Sequence, residues 1–166
     1  MNTYIISDSH FGHANIIKYE NRPFKDIKEM EEVMIKKWNK VVKNGDIVYH
    51  LGDFNFGSFA NVSMILKKLN GRIRLVMGNH DRGSTNKFRD AGFEEVYQHS
   101  IILNEFYILS HKPCYMTENS PYRNIHGHIH GKTLDDNLYY NASVEVIDYT
   151  PVKFDDIKKS FISKIM

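Results

Sequence analysis

Five short clusters in this sequence hold residue types able to bind a metal ion or move a proton. They are Asp8-Ser9-His10, Gly52-Asp53, Gly78-Asn79-His80-Asp81, His111 and Gly127-His128-Ile129-His130. The chain has nine histidines in 166 residues, and most lie in or beside these clusters. Carboxylate oxygen, amide carbonyl oxygen and imidazole nitrogen together form a donor set suited to divalent transition ions. In D-x-H and H-x-H, alternate residues of an extended segment point the same way, so both side chains reach one ion or two neighbouring ions. The carboxylate of Asp53 can bridge two ions, with Gly52 allowing the tight turn before it. Asn79 offers a neutral oxygen, while His80 can face a substrate, held in one tautomer by Asp81 and stabilised as imidazolium.

Four of the clusters, taken alone, have a plainer explanation, whereas the paired histidines of Gly127-His128-Ile129-His130 read as ligands even by themselves. D-x-H and Gly-Asp occur in ordinary turns, G-N-H-D can be one, and a lone His111 is commonly a packing residue. Two weaker candidates stand nearby. His13 in HFGH either touches a substrate phosphate or caps the following helix; Arg22 in NRPF either clamps a phosphate bidentately or is a surface arginine beside a proline turn. His126 reads as structural and His50 as packing, and Lys112 and Tyr115 as loop residues that can border a pocket.

The elements needed to position these clusters are legible in the apolar pattern. Residues 3–7 form a short β-branched and aromatic run, read as a buried strand ended by Asp8. From Asp26 to Val42 apolar residues recur at three and four, and Asp26 with Glu29 forms a capping-box pattern before a stop at Asn44-Gly45. Strands follow at 46–51 and 72–77, with a helix at 58–69 between them and a shorter one near 85–91. Residues 96–103 and 106–110 flank Asn104-Glu105 as a hairpin. Strand is also expected before the HGHIHG run and over 138–146. A closing helix from Asp155 buries Ile157, Phe161 and Ile162. The order β-α-β-α-β-α predicts parallel strands with crossover helices, and the later part adds an antiparallel region. Every cluster follows a predicted strand. Ligands of open α/β sheets bind at the carboxyl ends of strands, so residues far apart in sequence are expected at one edge.

Composition sets outer bounds. A chain of 166 residues, 42% hydrophobic and 25% charged, has the length and content of one globular domain. A formal net charge of +2 gives no bulk electrostatic reason to bind nucleic acid. One cysteine, Cys114, excludes an internal disulfide and agrees with a reducing compartment. No leader-like or membrane-spanning stretch is visible, so the expected location is cytoplasmic.

Five ordered strand-end clusters occurring together are hard to reconcile with five unrelated turns. In this order the sequence resembles the calcineurin-like metallophosphoesterase superfamily, whose motifs run D-x-H, G-D, G-N-H-D or G-N-H-E, a lone H, and G-H-x-H. The resemblance spans the chain from its first strand to HGHIHG. It implies one small, cap-less domain over residues 1–166 in an α/β/β/α sandwich, with two mixed β-sheets flanked by helices. It implies one metal on Asp8, His10, Asp53 and His130, and another on Asp53, Asn79, His111 and His128. Asp53 would bridge the two beside a hydroxide nucleophile. His80 would stabilise the transition state or protonate the leaving oxygen, with Asp81 holding it.

The implied cofactors are two divalent transition-metal ions, manganese first, with iron, zinc, nickel or cobalt as alternatives. The family often extends its second motif to G-D-x-x-D, but Gly52-Asp53-Phe54-Asn55-Phe56 lacks the second acid. The expected partner is a small phosphate mono- or diester, nucleotides included. A nuclease is the first rival, disfavoured by the lack of room for a cap and by the nearly balanced charge. A non-catalytic scaffold is the second, disfavoured because every ligand position and His80 are filled. The sequence does not set the oligomeric state.

Overall fold

The protein is described by a computed structural model covering residues 1–134 and 137–163. Two mixed sheets carry the architecture. The first has the order β4-β3-β2-β1-β9. It joins β1 (Thr3–Ile6), β2 (Ile47–His50), β3 (Arg72–Val76) and β4 (Glu95–Tyr97) in parallel, with β9 (Val152–Lys153) antiparallel at its edge. The second has the order β5-β6-β7-β8. Here β5 (Ile101–Leu103) and β6 (Tyr107–Leu109) form a hairpin, and β7 (Arg123–His126) and β8 (Tyr139–Asn141) continue in parallel.

The pleat of the first sheet explains its two cores. Successive residues point to opposite faces. Tyr4 and Ile6 therefore pack with Val48, Ile73 and Leu75 against the helices α2 (Ile27–Val41), α3 (Phe59–Leu66) and α4 (Thr85–Ala91). Ile5, Tyr49 and Val76 instead meet Leu109 and Ile125 of the second sheet. Met30, Met34 and Trp38 form the buried stripe of α2. The start of α2 is capped as expected: the Asp26 carboxylate accepts from the Glu29 N–H at 2.8 Å. Ser58 and Ser84 cap α3 and α4 in the same way.

Three expectations needed correction. The run 96–103 is not one strand, because β4 pairs with β3 while β5 pairs with β6. The exposed residues 98–100 carry the chain from one sheet to the other. The hairpin turn at Asn104-Glu105 is present, both residues having positive φ, at 47° and 65°. Within 138–146 only β8 is a strand; beyond it, Ser143 makes an isolated parallel bridge to Ser7. The closing helix α5 (Phe154–Ser163) buries Phe154, Ile157 and Phe161, but Ile162 is exposed. The 3.6-residue period places Phe154, Ile157 and Phe161 on one stripe and turns Ile162 out of it. A short helix, α1 (Ile16–Tyr19), lay outside the sequence reading.

Candidate metal centre

Strand ends supply the residues of the site. The Asp8 loop follows β1, Asp53 follows β2, Asn79 and His80 follow β3, His111 follows β6, and His128 and His130 follow β7. Parallel pairing of β1 with β2 and of β2 with β3 is in register, Ile6 opposite His50 and His50 opposite Leu75, so these three loops leave the sheet at one level. The β6–β7 pairing does the same in the second sheet.

The local conformation differs from the expected extended segments. Asp8, His10, Asp53, His128 and His130 all adopt left-handed backbone, with φ between 49° and 70°. In both D-x-H and H-x-H the two donors converge because alternate residues turn left-handed, not because a strand projects them. Each such residue costs of order 1–2 kcal/mol when it is not glycine. Five at the strand ends of the two sheets mark a place where geometry has been favoured over local stability.

Two groups of donors result. Asp8, His10 and His130 present atoms within 4.8 Å of one another, and so do Asp53, His111 and His128. The Oδ2 atom of Asp53 lies 3.6 Å from His10 Nε2 and 3.5 Å from His111 Nε2, between the groups. Asn79 Oδ1 lies 2.9 Å from His111 Nε2, on the side of the second group. Asp8 Oδ1 and His10 Nε2 are buried and have no hydrogen-bond partner among the described residues. An unpaired carboxylate oxygen and imidazole nitrogen in the interior are costly unless a cation takes them. Burial raises the Asp8 carboxyl above its ordinary value, and burial followed by the nearby Arg22 lowers His10 to about 2. His10 is therefore a neutral imidazole with a free lone pair, the form that ligates metal. The donors fit two divalent ions.

The glycines of the motifs serve close approach. At Gly78 a Cβ would meet Asp53 Oδ1, the Asp53 nitrogen and His111 Cε1, so no larger residue fits between the two middle loops.

His80 stands apart from the ligand groups. It is half-buried, its Nε2 4.0 Å from Asp53 Oδ2, and its backbone N–H donates to Asp53 Oδ1 at 2.8 Å. Asp81 does not hold the His80 ring. Its Oδ2 accepts from the N–H of Asp53 at 2.7 Å and of Gly78 at 2.8 Å, and its Oδ1 accepts from Phe54 N–H at 3.0 Å. The carboxylate is committed to three backbone donors, which corrects its expected catalytic role to one of holding the Asp53 loop.

Arg22 also requires correction. Its guanidinium is buried and donates to Ser9 O, Met30 Sδ, Asp8 O and, through two nitrogens, Glu145 Oε1. With its N–H groups used inside the protein it presents none to a phosphate; it braces the Asp8 loop. His13 lies beside the centre, its Nδ1 3.4 Å from His10 Nδ1, and stacks on Phe56 at 4.2 Å between ring centroids. His50 is fully buried against Ser9 Oγ, and His126 is likewise buried. Lys112 borders a groove with Asn79 and His111, whereas Tyr115 is exposed and lines no part of it.

Glu145 escaped the sequence reading. Its Oε1 lies 3.1 Å from His130 Nδ1 and also accepts from Arg22 at 2.7 Å. Holding one ring nitrogen leaves Nε2 of His130 for an ion, the arrangement in which a carboxylate orients a metal-binding imidazole. Ser143 Oγ donates to Asp8 Oδ2 at 2.9 Å in a similar bracing role. No spacing rule in the sequence marks either residue, because both reach the site on a segment read only as strand.

Known proteins share the family and the fold. Residues 1–162 match the family described as calcineurin-like phosphoesterase. Among curated proteins, "Uncharacterized protein MJ1445" of Methanocaldococcus jannaschii is 40% identical over 165 residues, covering 94% of this chain and 89% of that protein. Among solved structures, the "Protein of Unknown Function AQ665" from Aquifex aeolicus superposes with a TM-score of 0.76 at 32% identity, over 95% of this chain and 98% of that one. The nuclease MPE of Pseudomonas putida gives a TM-score of 0.53 at 20% identity over 77% of this chain and 61% of that one, a likeness of fold.

Proposed function

The chain belongs to the calcineurin-like phosphoesterase family, and from that premise we propose that it is a hydrolase of small phosphate mono- or diesters working with two divalent ions. The observation that carries the reading is the pair of donor groups meeting at Asp53 Oδ2. Asp8, His10, Asp53 and His130 would hold one ion, and Asp53, Asn79, His111 and His128 the other. When bound, such a pair neutralises phosphate oxygens and acidifies water into a nucleophile. The mixed nitrogen and oxygen donors suit manganese, iron, zinc, nickel or cobalt without selecting among them, and manganese is the first choice from the family resemblance.

The chain's own residues then have separate tasks. His80 carries an imidazole at the rim of the ligand groups, half exposed, where it can hydrogen-bond a phosphate oxygen or give a proton to the leaving oxygen. Asp81 fixes the loop that presents Asp53. Glu145 and Arg22 fix His130 and Asp8. Among the described residues no helix is long and apolar enough to cross a membrane, and a cytoplasmic location is part of the proposal.

The test is a screen of aryl mono- and diesters, cyclic nucleotides and oligonucleotides after chelation and add-back of Mn, Ni, Zn, Co and Mg. Hydrolysis that vanishes with chelation and returns with one of these ions is expected. His80→Ala should retain its metal content and lose about 10²–10⁴-fold in rate. Absence of metal-dependent hydrolysis with every ester would favour the scaffold reading.

A further inference from the structure

A cleft of about 280 Å³ opens beside His80, lined by Asn55, Phe56, Gly57, Phe59, His80 and Arg82. No acidic side chain lines it. Phe56 is 49% exposed, so part of its ring faces solvent. Its backbone is nonetheless fixed, since the Phe56 N–H donates to Phe11 O at 2.7 Å. One face of the ring is covered by His13, with an interplanar angle of 18°. The ring also stands 5.9 Å from His80, edge to face. Arg82 is exposed, and no carboxylate pairs with it among the described residues. The cleft therefore offers a held aromatic surface, a free guanidinium and a shared wall with the imidazole at the reaction centre.

We propose that this cleft binds the nucleobase of the leaving nucleoside in a nucleotide phosphodiester, stacked on Phe56, with the next phosphate paired to Arg82. The inference rests on the phosphodiesterase reading above and on His80 serving the leaving oxygen. If His80 faces that oxygen, the group attached to it must lie on the His80 side of the centre, where the cleft is. A flat ring already stacked on His13 extends naturally to a further flat ring, and base–aromatic stacking is tolerant of base identity. Arginine recognises a phosphate by paired N–H groups, and here nothing in the protein competes for them. A simple alkyl ester would use neither feature.

The experiment compares dinucleotides carrying a terminal phosphate, with the leaving nucleoside either intact or replaced by an abasic tetrahydrofuran analogue; product analysis identifies which nucleoside leaves. The alkoxide that departs has the same reactivity in both, so the ratio of kcat/KM isolates the base. The wild-type protein should prefer the intact substrate by about tenfold. Phe56→Ala and the better-packed Phe56→Leu should bring the ratio close to one, while Phe56→Tyr should keep it. Arg82→Gln should cut the advantage of the terminal phosphate without changing the base ratio. Equilibrium binding of the same two ligands to the metal-loaded His80→Ala protein should show the same tenfold difference. Equal rates and equal binding for intact and abasic ligands by a protein that hydrolyses aryl diesters would overturn the cleft assignment and leave the phosphoesterase reading standing. A protein that hydrolyses no ester in any metal would overturn both.

Discussion

The Asp81 carboxylate accepts a hydrogen bond of 2.7 Å from the backbone N–H of Asp53, across 28 residues of sequence, and so ties the G-N-H-D turn to the loop that presents the bridging acid. The same carboxylate takes the Gly78 and Phe54 N–H groups. Asp81→Ala leaves two buried donors, Asp53 N–H and Phe54 N–H, and the partly buried Gly78 N–H without their acceptor, at about 1–3 kcal/mol for each buried one before any water enters. The expected result is a loss of about 3 kcal/mol or more in urea unfolding, together with lower metal content. A variant with wild-type stability and metal content but slow hydrolysis would instead return Asp81 to orienting His80.

Glu145 joins His130 to Arg22, which gives its substitution two separable effects. Glu145→Gln keeps the shape and one acceptor while removing the charge that orients His130. Affinity for the added ion should fall about 10–100-fold, read by competition with a chromogenic chelator. Both variants take the counter-charge from the fully buried Arg22, at a stability loss of about 3–5 kcal/mol, and Glu145→Ala should lose the most because it also removes the acceptor that Gln keeps. Wild-type metal affinity in Glu145→Gln would show that His130 needs no such partner.

Gly127 leaves no room for a side chain. A Cβ there would meet Ser7 Oγ and Asp8 Oδ2, and the neighbouring His128 N–H already donates to that oxygen at 2.9 Å. Gly127→Ala should displace Asp8, with a stability loss of about 1–3 kcal/mol from overpacking and reduced metal stoichiometry by elemental analysis. Two ions bound with unchanged affinity would contradict the close approach of these loops.

Asp46 supplies a pH prediction away from the metal centre. Its carboxylate accepts from Asn2 N–H at 2.7 Å and Lys43 N–H at 3.0 Å, and these bonds hold it below the ordinary carboxyl value of 3.8. A lowered folded-state value means that the contribution is fully present above the unfolded value and lost as pH falls through the folded one. The stability gap between wild type and Asp46→Asn should be constant near neutrality and narrow below about pH 4. A gap that widens on acidification would reverse the sign assigned here.

Much of the site was already visible in the sequence. Asp8, His10, Asp53, Asn79, His111, His128 and His130 could be singled out because metal chemistry restricts side-chain type, and strand ends restrict where such types converge. The family resemblance rested on the same motifs and implied the two mixed sheets, while most strand and helix positions followed from apolar periodicity. The structure decided what those motifs could not express. Asp81 and Arg22 carry residue types suited to catalysis, yet their donors and acceptors are consumed by backbone and by Glu145, a fact of three-dimensional neighbourhood. The alternation in D-x-H comes from left-handed φ at Asp8 and His10, which no pattern of residue types encodes. Glu145 and Phe56 reach the centre through loops, where side-chain direction is set by long-range contacts rather than by a repeating backbone period. Residue chemistry is written locally; which partner each group meets is settled only when distant loops from the two sheets come together.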